Sequence, residues 1–410
     1  MATILIFATI FIARFKGPIG PVASDYLTGA IDLAERSGDL LIIELDTPGG
    51  DDHSMREIIQ AILNAGIPVC VYVSPAGARA ASAGAFILLA SHIGAMAPGT
   101  NAGAAHPVQM FGEKIDSIML EKVTNDAAAY AISLADKRGR NKKWAEDIVR
   151  KSISTPAREA VRIGAVDLLA ENLTELLSKL DRWEVKTVKG DKKLKTSNEL
   201  TQEVPMSVKH RFLLILTNPG IVYFLLLIGI YGIFFELQNP GAIFPGVVGA
   251  IAFILFFYSS RLLPINYAGV ALIILAAILF ILELQITSHG LLTIGGIISF
   301  VLGSIMLFES DVPYLRTSLG MIVIATIITG LFFLLIVGLG IKAQFKRPKT
   351  GIEGMVGLVG IAKTKIRKTG TVLVHGELWR AVSDQEIRPG EKIRVLEMLE
   401  GMVLNVEKIE

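Results

Sequence analysis

The chain has 410 residues, enough for two or three domains. Hydrophobic residues make up 52% of it and the mean hydropathy is +0.54, values that exclude a purely soluble protein and indicate that part of the chain lies in lipid. The 40 basic and 38 acidic residues leave a net charge of +2, so no overall field favours nucleic acid as a partner. The single cysteine, Cys70, excludes disulfides within the chain and thiolate metal clusters.

The N-terminal residues have two interpretations. Residues 2–13 are apolar over about the length of a signal-peptide core, although no basic residues precede them. Residues 10–15 also alternate like a first β-strand that enters a turn at Gly17 and Pro18. A truncated signal and a first strand are both open from the sequence.

The first part of the chain has the pattern of a layered α/β domain. Up to residue 180, helical patterns alternate with short apolar runs such as 40–45 and 69–73, and each run ends in a turn rich in glycine and proline. The polar stretch 181–206 then predicts an exposed hairpin or linker, with its tip at 189–193.

Apolar segments of nearly membrane-spanning length come next. They cover 221–237, 242–258, 265–284, 291–308 and 319–341. A helix needs roughly 20 residues to cross a bilayer, so the first, second and fourth are marginal. The run FELQNPG at 235–241 recurs loosely as LELQITSHG at 282–290, which predicts a tandem repeat of helical hairpins. Glu236 and Glu283 then occupy equivalent helix ends, where we expect a structural role at the turn.

The C-terminal residues predict a small closed β-barrel of OB type, because short apolar runs alternate with turns. These runs lie at 357–360, 370–374, 378–382, 392–396 and 402–406. Trp379 is the one aromatic residue that this segment would offer to a nucleic acid, which favours a protein-binding or structural role.

Basic residues after the last apolar segment predict the membrane orientation. They are Lys342, Lys346, Arg347 and Lys349. The positive-inside rule puts this end in the cytoplasm, although Lys209 and Arg211 before the first segment weaken the asymmetry. With an odd number of spans, the α/β domain is expected outside the cytoplasm. The expected domains are 1–180 (α/β), 181–206 (hairpin or linker), 207–345 (membrane region) and 346–410 (barrel).

Two segments of the α/β domain have the composition of a hydrolytic centre. TPGG at 47–50 ends a predicted strand, and free backbone N–H groups at such a turn can stabilise an oxyanion. AASAG at 80–84 puts Ser82 among small residues at the start of an apolar helix, where the helix dipole favours its alkoxide. Each segment also has a structural interpretation, as a tight turn or as a helix N-cap.

A nucleophilic serine needs a base, and the residues alone leave more than one candidate. His92 lies nearly three helical turns beyond Ser82, which is too far. Lys122 precedes a helical run, 123–136, whose alanine-rich face can pack on the domain. Burial there would lower the pKa of Lys122 towards a value useful for a base. His106 is also a candidate.

These motifs together resemble those of the membrane-bound NfeD proteases, ClpP-class serine proteases related to signal peptide peptidase A. The matching sequences are TPGG (47–50), AASAG (80–84), MAPGTNAGAAHP (96–107), GRN (139–141), GMVG (354–357) and GELWRA (376–381). The resemblance spans essentially the whole chain. It implies an α/β ClpP/crotonase-type N-terminal domain, a polytopic α-helical membrane region and a C-terminal OB-fold β-barrel.

The resemblance also implies roles for individual residues. Carried over by position, Ser82 is the nucleophile, Lys122 is its base, and the N–H groups of Gly50 and Ala83 form the oxyanion hole. The implied substrates are hydrophobic segments of stomatin- or prohibitin-like membrane proteins. We further expect a homo-oligomer in membrane lipid, with no cofactor, metal or nucleic acid.

Three alternatives are open. His106 follows Ser82 by 24 residues, near the position of the ClpP histidine, so that Ser82, His106 and Asp167 could form a triad. The chain could instead be a non-catalytic membrane organiser that binds a stomatin-like protein. A crotonase-like acyl-CoA enzyme would use the same oxyanion groups, but such enzymes are typically soluble and use acidic catalytic residues.

Overall fold

The structure, a computed structural model, describes most of the chain. The described residues are 10–107, 116–197, 199–238, 241, 243–260, 263, 265–286, 288, 290–308, 317–344 and 352–409. The chain divides into two compact units. One consists of residues 1–278 and 296–326, and the other of residues 279–295 and 327–410.

Strands and helices alternate in the first domain, which confirms the predicted α/β pattern. In chain order they are β1 (Ile10–Lys16), α1 (Pro21–Ser37), β2 (Leu40–Asp46), α2 (Asp52–Asn64), β3 (Val69–Val73), β4 (Arg79–Ala81), α3 (Ala83–Ala90), β5 (Ile93–Met96), β6 (Asn101–Gly103), α4 (Ser117–Arg138), α5 (Lys142–Arg150), β7 (Ser154–Pro156), α6 (Ala157–Arg162), β8 (Leu168–Leu169), α7 (Leu173–Leu180), β9 (Glu184–Thr187), β10 (Gly190–Lys193) and β11 (Thr201–Glu203). Residues 10–15 thus belong to a first strand.

A parallel sheet forms the centre of this domain, with the strand order β11-β1-β2-β3-β5-β8. Both faces are covered, which explains why β2 and β3 are almost continuously apolar. Along β3, Val69 and Val71 face the core formed with α1, α2 and α3, whereas Cys70 and Tyr72 face the core formed with α7. Because the strands are parallel, the turns that follow β1, β2 and β3 meet at one edge.

The polar stretch after residue 180 belongs to this domain. Strands β9 and β10 form the predicted hairpin, but its turn lies at 188–189, and residues 190–193, which were expected in the tip, form β10. Val185 and Leu194 are buried in the same core as α7. Strand β11 then pairs with β1, with Ile10 opposite Thr201. The stretch therefore completes the edge of the sheet and is more than a linker.

Apolar helices follow a short connecting helix, α8 (Val208–Ile215). They are α9 (Pro219–Gln238), α10 (Ile243–Ser259), α11 (Tyr267–Gln285), α12 (Leu291–Met306) and α13 (Leu319–Gln344), and they coincide with the predicted apolar segments. Within the described residues, Pro219–Leu237 is long and apolar enough to cross a membrane, while the other helices contain shorter apolar stretches of 10–17 residues.

The two glutamates of the predicted repeat lie at turns between helices. The Glu283 carboxylate accepts hydrogen bonds from the backbone N–H groups of Gly290 and Thr293, both at 2.9 Å, and so caps the start of α12. The Glu236 carboxylate fills the space that a side chain at Gly246 of α10 would occupy. Both contacts support the structural role expected for these residues.

The C-terminal residues form the predicted barrel. After α14 (Ile352–Met355) come β12 (Val359–Ala362), β13 (Thr369–Val374), β14 (Glu377–Val382), β15 (Lys392–Leu399) and β16 (Val403–Lys408). They close in the order β12-β13-β14-β16-β15. Alternate residues such as Val372, Val374, Ile393 and Val395 fill the interior, as the period of two in a strand requires.

An ion pair between a buried arginine and a partly buried aspartate fastens the C-terminal end of α3 to the sheet. The Arg140 guanidinium is 2% exposed and lies 2.5 Å from the Asp167 carboxylate. It also donates to the carbonyls of Leu88 (2.6 Å) and Leu89 (3.0 Å) in the last turn of α3. Asp167 in turn accepts from the Gly94 N–H at 2.7 Å. Both charged groups are therefore well paired, which a buried ion pair requires.

We expect Arg140→Leu to lower the free energy of unfolding by about 3–5 kcal/mol, because Asp167 would be left without its partner. Arg162→Leu is the matched control, since Arg162 pairs with Glu159 while its side chain is 75% exposed. Loss of this surface pair is worth at most about 1 kcal/mol. The measurement is urea unfolding of the full chain in detergent, followed by protease resistance. Equal effects of the two substitutions would contradict the role of Arg140.

Candidate functional site

The site begins at the turn after β2. Gly49 has a φ of 116°, which side chains of L-residues rarely permit, and its N–H donates to the Thr47 hydroxyl at 3.1 Å. Ile19 fixes the turn from outside, because its N–H donates to the Gly49 carbonyl (2.8 Å) and its carbonyl accepts from the Asp51 N–H (2.9 Å). Within the described residues, this arrangement leaves the N–H of Gly50 without an acceptor.

Backbone hydrogen bonds tie this turn to the segment that carries the serine. The Thr47 N–H donates to the Arg79 carbonyl (2.8 Å), and the Ala81 N–H donates to the Thr47 carbonyl (3.1 Å). The Ser82 N–H donates to the Gly103 carbonyl of β6 at 2.9 Å. The serine is thus held between the turn after β2 and a small second sheet, β4-β6-β7.

Ser82 immediately precedes α3 in an unusual backbone conformation, with φ 52° and ψ −117°. A positive φ at a residue other than glycine is strained and persists only where the surroundings enforce it, often at functional sites. Ala83 is the first residue of α3, so its N–H has no acceptor within the helix. The predicted oxyanion pair, Gly50 and Ala83, therefore consists of two unpaired donors that flank the segment containing Ser82.

Close approach between the two segments requires two further glycines. A Cβ at Gly49 would lie 2.6 Å from Ser82 Cβ and 3.2 Å from its Oγ. A Cβ at Gly84 would lie 2.4 Å from Thr47 Cγ2. From the sequence, a role was predicted for Gly50 alone. The same motifs contain the other two glycines, since Gly49 belongs to TPGG and Gly84 ends AASAG.

The charges around α3 follow its dipole. Ser82 is at the N-terminal end, where an anion is stabilised, and two arginines bind the C-terminal carbonyls. Arg138 donates to the Ala90 carbonyl at 2.8 Å, beside the contacts of Arg140 described above. Burial lowers the pKa of Arg138 to about 10, so the side chain is still cationic at neutral pH.

Lys122 lies in the second turn of α4 with an exposed side chain. The expectation that this lysine is buried was wrong for the single chain, and the reason is the course of α4. The helix begins at Ser117, earlier than predicted, and its first turns extend beyond the packed part of the domain. Burial begins at Ala128, which is 0% exposed, and Tyr130 then stacks on Phe86 of α3 with ring centroids 6.0 Å apart.

Apolar side chains surround Lys122 on the exposed start of α4. Ile118, Met119 and Val123 are 61%, 55% and 39% exposed. Within the described residues, no hydrogen bond links Ser82 Oγ to Lys122. The single chain thus presents a strained serine near two unpaired backbone N–H groups, and a lysine among exposed apolar side chains at the start of α4.

The alternative triad is not assembled. The His106 ring is oriented by the Val149 carbonyl, which lies 2.9 Å from Nδ1. Asp167, the acid proposed for the triad, is bound to Arg140 and to the Gly94 N–H. The structure therefore does not join His106 to Asp167. Within the described residues, no hydrogen bond joins His106 to Ser82 either.

His92 is excluded as a base by its surroundings. Its Nδ1 accepts from the Val69 N–H at 3.3 Å, beyond the C-terminal end of α3. Burial, together with the charges of Arg138, Arg140 and Lys137, lowers the pKa of His92 from 6.5 to about 3. Among the described residues there is also no group of three or more histidine, cysteine or acidic side chains that could hold a metal ion.

Comparison with known proteins covers almost the whole chain. Family profiles match the NfeD1b N-terminal domain over residues 10–189, the NfeD integral membrane domain over 220–339 and the NfeD-like C-terminal, partner-binding domain over 352–408. The membrane-bound protease PH1510 of Pyrococcus horikoshii is 36% identical over 409 residues, which cover 97% of this chain and 92% of that protein. The membrane protein NfeD1b of Bacillus subtilis is 30% identical over 442 residues, with 98% and 93% covered.

A solved structure matches the first domain. It is a lysine-to-alanine variant of the 1510-N membrane-bound stomatin-specific protease in complex with a substrate peptide, with 34% identity and a TM-score of 0.48 over 51% of this chain and 97% of that chain. The α/β domain, the apolar helices and the closed barrel together define a membrane-protein architecture whose relatives include a membrane-bound protease. The chain belongs to the NfeD family.

We expect Gly49→Ala to lower kcat by about 10²-fold or more, because the new Cβ would displace Ser82, and small misplacements of a nucleophile have effects of that order. Gly77→Ala is the control, since Gly77 also has a positive φ of 88° but its Cβ would meet nothing within 4 Å. The measurement is cleavage of an apolar peptide by the full chain in detergent. Equal losses in both variants would show that backbone strain alone is responsible.

The low pKa of His92 predicts acid sensitivity. The folded chain binds this proton only near pH 3, whereas an unfolded chain binds it near pH 6.5, so stability falls as the pH drops below about 6.5. Between pH 7 and pH 5 this group accounts for about 1–2 kcal/mol of lost stability. His92→Asn, which keeps an acceptor near Val69, removes that contribution. Urea unfolding at both pH values tests this, and an unchanged pH dependence would contradict it.

Proposed function

We propose that this chain is an endopeptidase that cleaves apolar segments of membrane-associated proteins, with Ser82 as nucleophile and Lys122 as general base. The observation that carries the proposal is the strained backbone of Ser82 between the unpaired N–H groups of Gly50 and Ala83. Donors fixed in advance around a nucleophile stabilise the oxyanion of acyl transfer without reorganisation during the reaction.

The proposed reaction is acyl transfer to the serine, followed by hydrolysis. Ser82 Oγ attacks the carbonyl carbon of the peptide bond while Lys122 accepts the hydroxyl proton. The carbonyl oxygen becomes an oxyanion and accepts hydrogen bonds from Gly50 and Ala83. The amine leaves with the proton carried by Lys122. Water then attacks the acyl-enzyme while Lys122 accepts a proton from it. When the bond between the acyl carbon and Ser82 Oγ breaks, Lys122 returns that proton to Oγ, which releases the acid product and restores both residues.

Lys122 can act as this base only when it is neutral, which requires removal from water. In the single chain the lysine is exposed, and so are Ile118, Met119 and Val123 around it. We infer that an apolar substrate segment, or a second copy of the chain in a homo-oligomer, covers this surface and desolvates the amine. The same requirement makes an apolar substrate a better activator than a polar one.

A stomatin- or prohibitin-like protein is the proposed substrate or partner. Support comes from the relative named as stomatin-specific and from the family name of the C-terminal domain, which describes it as partner-binding. The barrel offers a suitable surface, because Ile361, Leu373 and Leu378 are register neighbours across β12, β13 and β14. Ile361 and Leu378 are 43% and 66% exposed, which gives an apolar row on the outside of the barrel.

We also propose that the five apolar helices cross the membrane within residues 207–345. The basic residues that follow the last helix favour a cytoplasmic barrel, and an odd number of spans then puts the protease domain outside the cytoplasm. Membrane lipid surrounds the helices in this arrangement. The exposed apolar side chains of α9 to α13, such as Phe244 at 79% and Ile254 at 68%, are consistent with contact to acyl chains.

A second candidate is a non-catalytic membrane organiser. The observation that favours it is the exposure of Lys122 without a hydrogen bond to Ser82 in the described residues. An organiser would bind the same partner through the barrel, but the strained serine and the two unpaired donors would then have no purpose. Binding and cleavage by the same variants distinguish the two candidates.

We expect Ser82→Ala and Lys122→Ala each to reduce cleavage of an apolar peptide by roughly 10³-fold or more, because removing one member of a catalytic dyad also removes the contribution of the other. Lys122→Arg is expected to be equally inactive, since arginine keeps its charge but does not deprotonate. Lys137→Ala, an exposed lysine in the last turn of α4, is the control. All variants are assayed as full chains in lipid nanodiscs.

The outcomes separate the candidates. Full activity of Ser82→Ala would refute the protease assignment, and retained binding of a stomatin-like protein by that variant would then favour the organiser. A serine-directed covalent probe that labels Lys122→Ala as fast as the unmodified chain would move the base to His106.

A further inference from the structure

Helix α8 connects the protease domain to α9. It has eight residues, Val208–Ile215, and begins with an N-cap in which the Ser207 hydroxyl accepts a hydrogen bond from the His210 N–H at 3.2 Å. Three residues separate its end from Pro219, where α9 begins. The helix therefore lies next to the start of the segment Pro219–Leu237, which is long and apolar enough to cross a membrane.

One face of α8 is fixed to the protease domain. His210 Nε2 lies 2.8 Å from the Asp25 carboxylate of α1. Leu214, one turn further along, packs against the core of the domain. A Cβ at Gly17 would lie 3.5 Å from Leu214 Cδ1, so the leucine is in van der Waals range of the turn after β1. Residues four apart lie on the same side of a helix, and these two side chains define the docked face.

The opposite face of α8 is apolar and uncovered. Val208, Phe212 and Ile215 follow the i, i+4, i+7 spacing of a single helical stripe and are 83%, 47% and 50% exposed. Consecutive side chains of a helix are rotated by about 100° around its axis, so this stripe points away from His210 and Leu214. Lys209 and Arg211 lie on either side of it and are also exposed. An apolar stripe flanked by cations is the pattern of a helix in the plane of a membrane surface.

We propose that α8 is a membrane-surface helix that embeds Val208, Phe212 and Ile215 in a bilayer whose anionic phosphate headgroups bind Lys209 and Arg211. Two points single out lipid as the occupant of this face. The helix leads directly into the membrane domain of the family, which is matched from residue 220. Its charged residues have the sign that anionic headgroups attract. Helices of this kind bury their apolar side chains about 5–10 Å into the boundary of the acyl region.

This docking would hold the catalytic edge of the sheet at the membrane surface. Leu214 of α8 lies against Gly17, and Ile19, two residues further along, is hydrogen-bonded to Gly49 and Asp51 of the oxyanion turn. A short series of contacts thus links the lipid-facing helix to the site. Resting on the proposed peptidase function, the inference assigns as substrates peptide bonds that lie close to the bilayer surface, such as those flanking a membrane-anchored apolar segment.

The first test measures lipid contact and needs no activity. Nitroxide labels are attached at Phe212→Cys and Ile215→Cys in the full chain in phosphatidylglycerol-containing nanodiscs, with Cys70 fully buried and thus protected from labelling. The control is Val188→Cys, a position in the β9–β10 turn where the valine is 62% exposed. Its neighbour Thr187 contacts Gly66, which precedes β3, so this position lies at the end of the sheet opposite to the turns that follow the strands.

We expect the ratio of oxygen to nickel-chelate accessibility to be at least about threefold higher at 212 and 215 than at 188, as for side chains below the headgroups. In nanodiscs of phosphatidylcholine alone the ratio should fall, because Lys209 and Arg211 lose their anionic partners. Equal ratios at all three positions would overturn the proposal. The same ratio in anionic and in phosphatidylcholine nanodiscs would overturn the contact between the two basic residues and the headgroups.

The second test compares two forms of one cleavable sequence, one anchored to the nanodisc by an apolar helix and one free in solution. We expect Phe212→Gln with Ile215→Gln to slow cleavage of the anchored form by roughly tenfold, through loss of membrane contact, and to leave the free form unchanged. Leu33→Gln, a 41% exposed position on α1, is the control and should change neither.

Equal loss on both substrates, or no loss on either, would overturn the link between α8 and substrate choice. If the peptidase assignment itself fails, neither substrate is cut by any variant, while the spin-label pattern still reports whether α8 lies in lipid.

Discussion

The proposed catalytic centre depends on two backbone hydrogen bonds that join Thr47 to Arg79 and Ala81. They hold the turn after β2 against the segment that leads into α3, so that Gly49 lies directly against Ser82. Side chains larger than hydrogen at Gly49 or Gly84 would push the two segments apart. Backbone geometry, more than any side-chain interaction, thus shapes the proposed oxyanion hole.

Contacts with the rest of the domain keep Ser82 in its strained backbone conformation. A serine with φ 52° is unfavourable, and the conformation persists because the structure on both sides is rigid. Gly103 binds the serine N–H, while Arg138 and Arg140 bind the far end of α3. The helix is therefore anchored at its C-terminal carbonyls by the buried Arg140 and the partly buried Arg138, and its electropositive N-terminal end lies at Ser82.

The two members of the proposed dyad differ in how far the single chain prepares them for catalysis. The single chain holds Ser82 in its strained conformation, whereas Lys122 lies among exposed apolar side chains at the start of α4. If Lys122 is the base, as proposed, activity would be conditional on an apolar surface that covers it. Together with a helix α8 that faces lipid, this would confine cleavage to apolar segments at the membrane and protect other proteins.

The sequence by itself determined the class of each domain, because apolar period and turn composition report which faces are buried. It predicted the alternating first domain, the apolar helices, the barrel strands and the position of Ser82 beside a glycine turn. Only the tertiary structure decided the contacts between segments distant in the chain. It showed the collision that makes Gly49 necessary, the binding of Asp167 to Arg140 in place of His106, and the exposure of Lys122. Burial and pairing are properties of packed surfaces, and a local pattern does not specify which surface packs on which.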